Sequence, residues 1–161
     1  MQYLAITAAF ISIAVAAPTS APLERRACSV AYPRTIGFPI NYVIKQDAGK
    51  TNSVEPVINF DNIPAGAYGC QLEVNFPAGY PIQSSGSTSV NVWSESGASK
   101  GSLFGTVTFT SSPVAPTKYV INSATCASLL SYRLSIASDT LPGSVAFADT
   151  KEAGITVTYN C

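Results

Sequence analysis

Cys70-Gln71-Leu72-Glu73-Val74-Asn75-Phe76 alternates without a break. Cys70, Leu72, Val74 and Phe76 point one way; Gln71, Glu73 and Asn75 point the other. That period of two predicts a strand with one face buried and one face wet. Ala65-Gly66 before it and Pro77-Ala78-Gly79 after it supply turns. The same pattern recurs at 54–60, 88–93, 103–110, 118–122, 131–137 and 154–160, with shorter runs near 38–44 and 144–148. About eight or nine strands follow, and no amphipathic helix of useful length; Thr125 to Leu130 is the one candidate for a helical turn. The Ser/Gly-rich segments 83–89 and 94–102 read as loops. Short strands punctuated by turn residues predict an all-β fold, an antiparallel β-sandwich of jelly-roll or other Greek-key type.

The amino-terminal end sets the expected compartment. Leu4 to Val15 is apolar apart from Thr7 and Ser12, the length of a signal-peptide core and short for a bilayer span. Ala14 and Ala16 offer the small-residue spacing of a cleavage site, so residues 1–16 are expected to be a signal peptide, although Met1-Gln2-Tyr3 lacks the usual basic residue. A Pro/Ser/Thr segment then ends in Arg25-Arg26, which marks 17–26 as a propeptide with a dibasic cut. A buried apolar helix is the competing reading of the first segment. Residues 27–161 form the expected single domain, long enough for a real core. They carry seven Lys/Arg against eight Asp/Glu, sparse and mixed. That balance argues against a nucleic-acid partner, and no later segment argues for a membrane once the leader is gone. Secretion to the extracellular space, with cell-wall association as an option, is the expected localisation.

Cys28, Cys70, Cys126 and Cys161 all lie in this domain. An even count in an exported chain predicts two disulfides. Three pairings exist; Cys70–Cys126 within the domain and Cys28–Cys161 across its ends are favoured. Each would close a long loop, giving roughly 4–5 kcal/mol as an upper estimate.

The chain contains no histidine. Ser-His-Asp and Cys-His nucleophiles cannot be built, a copper centre at an amino-terminal histidine is excluded, and zinc lacks its usual ligand set. No cofactor or metal is expected. Asp61-Asn62 reads as a turn cap rather than a calcium loop. Paired carboxylates for glycoside hydrolysis are the surviving enzymatic chemistry, with Glu73, Asp61, Glu95 and Asp149 as the available groups. There is no Asn-X-Ser/Thr sequon, so N-glycosylation is not expected.

A binding surface can be read from one hairpin. If 88–93 and 103–110 pair around a Ser94–Ser102 loop, Val90 falls opposite Val107. Trp93 then falls opposite Phe104, with both rings on the face away from Val90, Val92, Val107 and Phe109. Trp93 and Phe104 would make a flat outward platform; a stabilising cross-strand pair is the plainer reading.

Phe60-Asp61-Asn62-Ile63-Pro64, the Gly69-Cys70 strand entry, the Phe76-Pro77 exit, a later cysteine at Cys126 and a last strand ending in Cys161 resemble small secreted fungal proteins with the ubiquitin 3 binding protein C-terminal (But-two-type) domain. The resemblance covers most of 28–161. It implies a β-sandwich of undetermined activity at cell surfaces or in host-associated settings, and it supplies no catalytic residues. An exported chain is not placed to meet an intracellular ubiquitin-pathway partner, so that link is not carried over. The expected function is therefore non-enzymatic surface recognition of a wall polysaccharide or a host protein. A structural wall or spore-surface protein and a glycan-active hydrolase are the alternatives.

Overall fold

The computed structural model describes residues 27–161. The expected signal peptide 1–16 and propeptide 17–26 lie outside the described residues. Eleven strands follow in order: β1 (Ser29–Ala31), β2 (Ile40–Gln46), β3 (Val57–Asp61), β4 (Cys70–Phe76), β5 (Gln83–Gly86), β6 (Ser89–Ser94), β7 (Leu103–Thr108), β8 (Thr117–Ala124), β9 (Leu129–Ile136), β10 (Gly143–Asp149) and β11 (Gly154–Tyr159). They form three antiparallel sheets, ordered β1-β11-β4-β8, β2-β10-β5 and β3-β9-β6-β7. The expected sandwich is what the chain builds.

Two strands escape the sequence pattern. β1 is three residues long, and β5 is an exposed edge of Gln83-Ser84-Ser85-Gly86, inside a segment expected to be a loop. Neither has the apolar alternation that marks a half-buried strand; both are defined by hydrogen bonds to β11 and β10. The expected helical turn at 125–130 does not form: Leu129 already begins β9. The helical turns among the described residues are single 3-10 turns at Ala48–Lys50 and Gly97–Ser99. No helix among the described residues is long and apolar enough to cross a membrane.

The second and third sheets follow each other along the chain, β2 leading to β3, β5 to β6 and β9 to β10. Gly143 of β10 faces Gln46 of β2 and Gly86 of β5, while Arg133 of β9 faces Val57 of β3 and Trp93 of β6. Between them the chain turns the corner through Ser87 N–H to Pro142 O (2.9 Å) and Ala137 N–H to Ser89 O (2.8 Å). The corner demands glycine at 143, where a Cβ would come within 2.1 Å of Ser87 O. Gln46 pins the intervening 137–142 loop by donating to Ser138 O and Leu141 O at 2.6 and 2.9 Å.

The inner faces of all three sheets meet in one core. Phe76, fully buried, stacks on Tyr80 (5.2 Å between centroids) and meets Phe147 and Phe109 edge-on at 5.5 and 6.4 Å. The edge strand β7 is closed against β8 by side chains. Ile121 packs on Gly105, Asn122 Nδ2 donates to Phe104 O (2.6 Å), and the Tyr119 hydroxyl donates to Thr108 O (3.2 Å). Such cover protects an otherwise open edge. The disulfides are Cys28–Cys161 and Cys70–Cys126, the favoured pairing. They close separations of 133 and 56 residues and tie the two ends and the β8–β9 loop to the same sheet.

Candidate functional site

The β6–β7 hairpin forms with Val90 opposite Val107, as its apolar faces require. Beyond Val92 the ladder slips by one residue, and Trp93 faces Leu103 instead of Phe104. A β-bulge of this kind reverses the side to which the extra residue points. Leu103 therefore shares the outer face with Trp93 and is 52% exposed, while Phe104 turns in and packs against the core. The expected two-ring platform is not built. Gly105, opposite Val92, leaves room for Ile121 of β8.

Trp93 is instead held by its other neighbour, β9. Its indole N–H donates to Ser135 Oγ at 2.9 Å, and the Arg133 guanidinium lies 5.6 Å from the ring centroid. Arg133 also donates to Glu95 (2.7 Å) and pairs with Glu55. These bonds, that to Glu95 first, raise the guanidinium above its usual range. The outer face of β3-β9-β6 is thus a network that clamps the indole against β9, in place of the expected pair with Phe104.

Phe104 lies in a different feature. A cleft of about 560 Å³ opens between the β6–β7 loop and the β8–β9 loop. Its floor is the tilted pair Phe104 and Tyr132, 4.8 Å apart, beside Cys126 of the Cys70–Cys126 bridge. Burial pushes the Tyr132 phenol up to about 12, so it stays neutral. Hydroxyl and amide groups of Ser94, Ser96, Ser99, Asn122, Ser123 and Thr125 line it together with the exposed Leu103 and Leu129. None of the lining residues is charged. Several of the polar groups are used to shape the loops. Ser94 Oγ donates to Ser96 O (3.2 Å), Ser96 Oγ accepts the Ser131 N–H (3.0 Å), and Ser102 Oγ donates to Ser99 O (2.6 Å). The cleft joins residues from 94 to 132, and no local motif announced Tyr132 or Asn122 as part of it.

The four candidate carboxylates are each engaged separately. Asp61 pairs with Arg34, and Glu95 with Arg133, on the outer side of β3-β9-β6. Glu73 projects from the outer face of β4, 3.0 Å from Lys118 Nζ. Asp149 points inward and is fully buried, accepting the Ile155 N–H at 3.0 Å. Burial pushes its carboxyl up to about 7, opposed in part by that bond. Family models, curated proteins and solved structures contain no match to this chain.

Proposed function

We propose that the chain is an extracellular recognition protein that holds an uncharged polysaccharide in the Phe104–Tyr132 cleft. The observation that carries this reading is the cleft's make-up: Phe104 over the buried Tyr132, serine, threonine and asparagine groups interleaved with the exposed Leu103 and Leu129, and no ionisable group among its lining side chains apart from the neutral Tyr132 phenol. A charged guest would be stripped of water there with no counter-charge to meet it. A sugar ring matches both kinds of lining, its C–H face on an aromatic ring and its hydroxyls on the polar groups. Two disulfides support an oxidising environment, and the But-two-type resemblance supports a cell-surface setting. The engagement of Asp61, Glu95 and Glu73 with Arg34, Arg133 and Lys118 favours recognition over paired-carboxylate hydrolysis.

The test is retention of the 27–161 protein on insoluble chitin and insoluble β-glucan, alone and as Phe104→Ala. Retention on one polymer that is lost in Phe104→Ala, with an unchanged β circular-dichroism spectrum, is expected. Passage through both polymers, or equal retention of the variant, defeats the reading.

A further inference from the structure

We propose that the chain's own segment Pro18-Thr19-Ser20-Ala21-Pro22-Leu23 occupies the Phe104–Tyr132 cleft until the chain is cut after Arg26. The docking does not depend on what the cleft later binds; its consequence for binding rests on the polysaccharide reading. Chemistry matches the two. The cleft offers exposed Leu103 and Leu129 around Phe104, open hydroxyl and amide groups such as Asn122 and Ser123, and no charge. The segment has six residues without a charge: Leu23 and two prolines for the apolar walls, Thr19, Ser20 and the peptide groups for the polar ones. Proline has its φ already fixed, so Pro18 and Pro22 lose less freedom on docking than other residues would. Glu24, Arg25 and Arg26 do not belong in the cleft, because nothing there would meet their charge.

The chain also enters the domain at the right place. Ser29 of β1 faces Tyr159 of β11, Thr158 of β11 faces Gln71 of β4, and Cys70 of β4 faces Ala124 of β8. These pairs form one row across the end of the sheet, and Ala124, Thr125 and Cys126 at its far side wall the cleft. Three strand spacings separate Ser29 from Ala124, about 14 Å. The Cys28–Cys161 bridge fixes the chain at the near side of that row. Five residues back from Cys28 the chain reaches up to about 17 Å, which brings Leu23 to the cleft. Glu24 to Arg26 then cross the sheet end between two anchors, where a dibasic cut is open to a protease. While the segment is attached, a linker this short holds it at an effective concentration of about millimolar. The cut removes that advantage, and the freed peptide leaves on dilution.

The experiment compares isotope-labelled 17–161 with the same protein cut by a dibasic-specific endoprotease and freed of its peptide. Amide resonances of 97–104 and 122–129 are expected to shift on cutting. Uncut Leu23→Asp, altered outside the folded domain, should show the cut protein's resonances at those residues. Insoluble chitin or β-glucan should retain uncut 17–161 about tenfold less than 27–161. Identical resonances before and after the cut would overturn the docking, as would shifts confined to another face, or no effect of Leu23→Asp. Shifts that grow with protein concentration and survive the cut would place a second copy in the cleft and overturn it too. Equal retention of both forms would overturn this inference and leave the polysaccharide reading standing. The expected shifts with neither form retained would do the reverse, supporting the docking and defeating that reading.

Discussion

Trp93 faces Leu103 across the β6–β7 ladder, and the residue between Leu103 and Gly105 is turned into the protein. That one-residue slip decides which of two neighbouring apolar side chains is structural and which is exposed. It gives an ordering that urea unfolding can check. Phe104→Ala is expected to cost about 2 kcal/mol or more, because it opens the core edge beside Tyr132. Leu103→Ala is expected to stay within about 0.5 kcal/mol, as half-exposed positions do. An unslipped hairpin would reverse the order.

Asp149 makes stability depend on pH in a direction opposite to that of a salt-bridged carboxylate. Its folded-state value, about 7, lies above its ordinary value of 3.8. The folded protein therefore holds a proton that the unfolded chain releases, and stability is lost as pH rises from about 4 to about 7. The shift corresponds to a few kcal/mol, on the order of 4 at most. Tyr42 on β2 and Tyr80 are the titratable groups coupled to it; burial raises both, and the Asp149 charge raises them further. Asp149→Asn should flatten this slope and raise stability at pH 8, measured as urea midpoints across the range. A wild-type midpoint that climbs between pH 4 and pH 7 would contradict it.

The two disulfides should not rank by loop length. Chain entropy assigns about 5 kcal/mol to the 133-residue closure and about 4 kcal/mol to the 56-residue one. Cys28 and Cys161 are exposed, so replacing both with alanine leaves no void, and β1 still pairs with β11 beside them. Cys70 is fully buried, and alanines at 70 and 126 lose packing as well as the bridge. The Cys70→Ala/Cys126→Ala protein is expected to be the less stable of the two, by thermal or urea unfolding, and its β8–β9 loop to exchange amide hydrogens faster.

Most of the strands were legible because a half-buried strand writes its geometry into alternate residues. β4 shows it from Cys70 to Phe76: the inward residues read from the sequence are all buried, and of the outward ones only Glu73 is buried as well. The favoured cysteine pairing also holds. β5 was illegible because Gln83-Ser84-Ser85-Gly86 buries nothing; only its hydrogen bonds to β10 make it a strand. Phe104 was read onto the outer face and instead turns in, since alternation assumes a ladder without a bulge.

Sequence alone determined the all-β character, the inner face of each regular strand and the chemistry that histidine's absence removes, because those depend on residue type and on a local period of two. Tertiary structure alone decided the slip at Val92/Trp93, the cleft that joins residues 94 to 132, the burial of Glu73 and Thr158 on a nominally wet face, and the enclosed carboxyl of Asp149. Each of these arises where side chains distant in the chain compete for the same space. Packing across sheets settles that competition, and a local pattern carries no record of it.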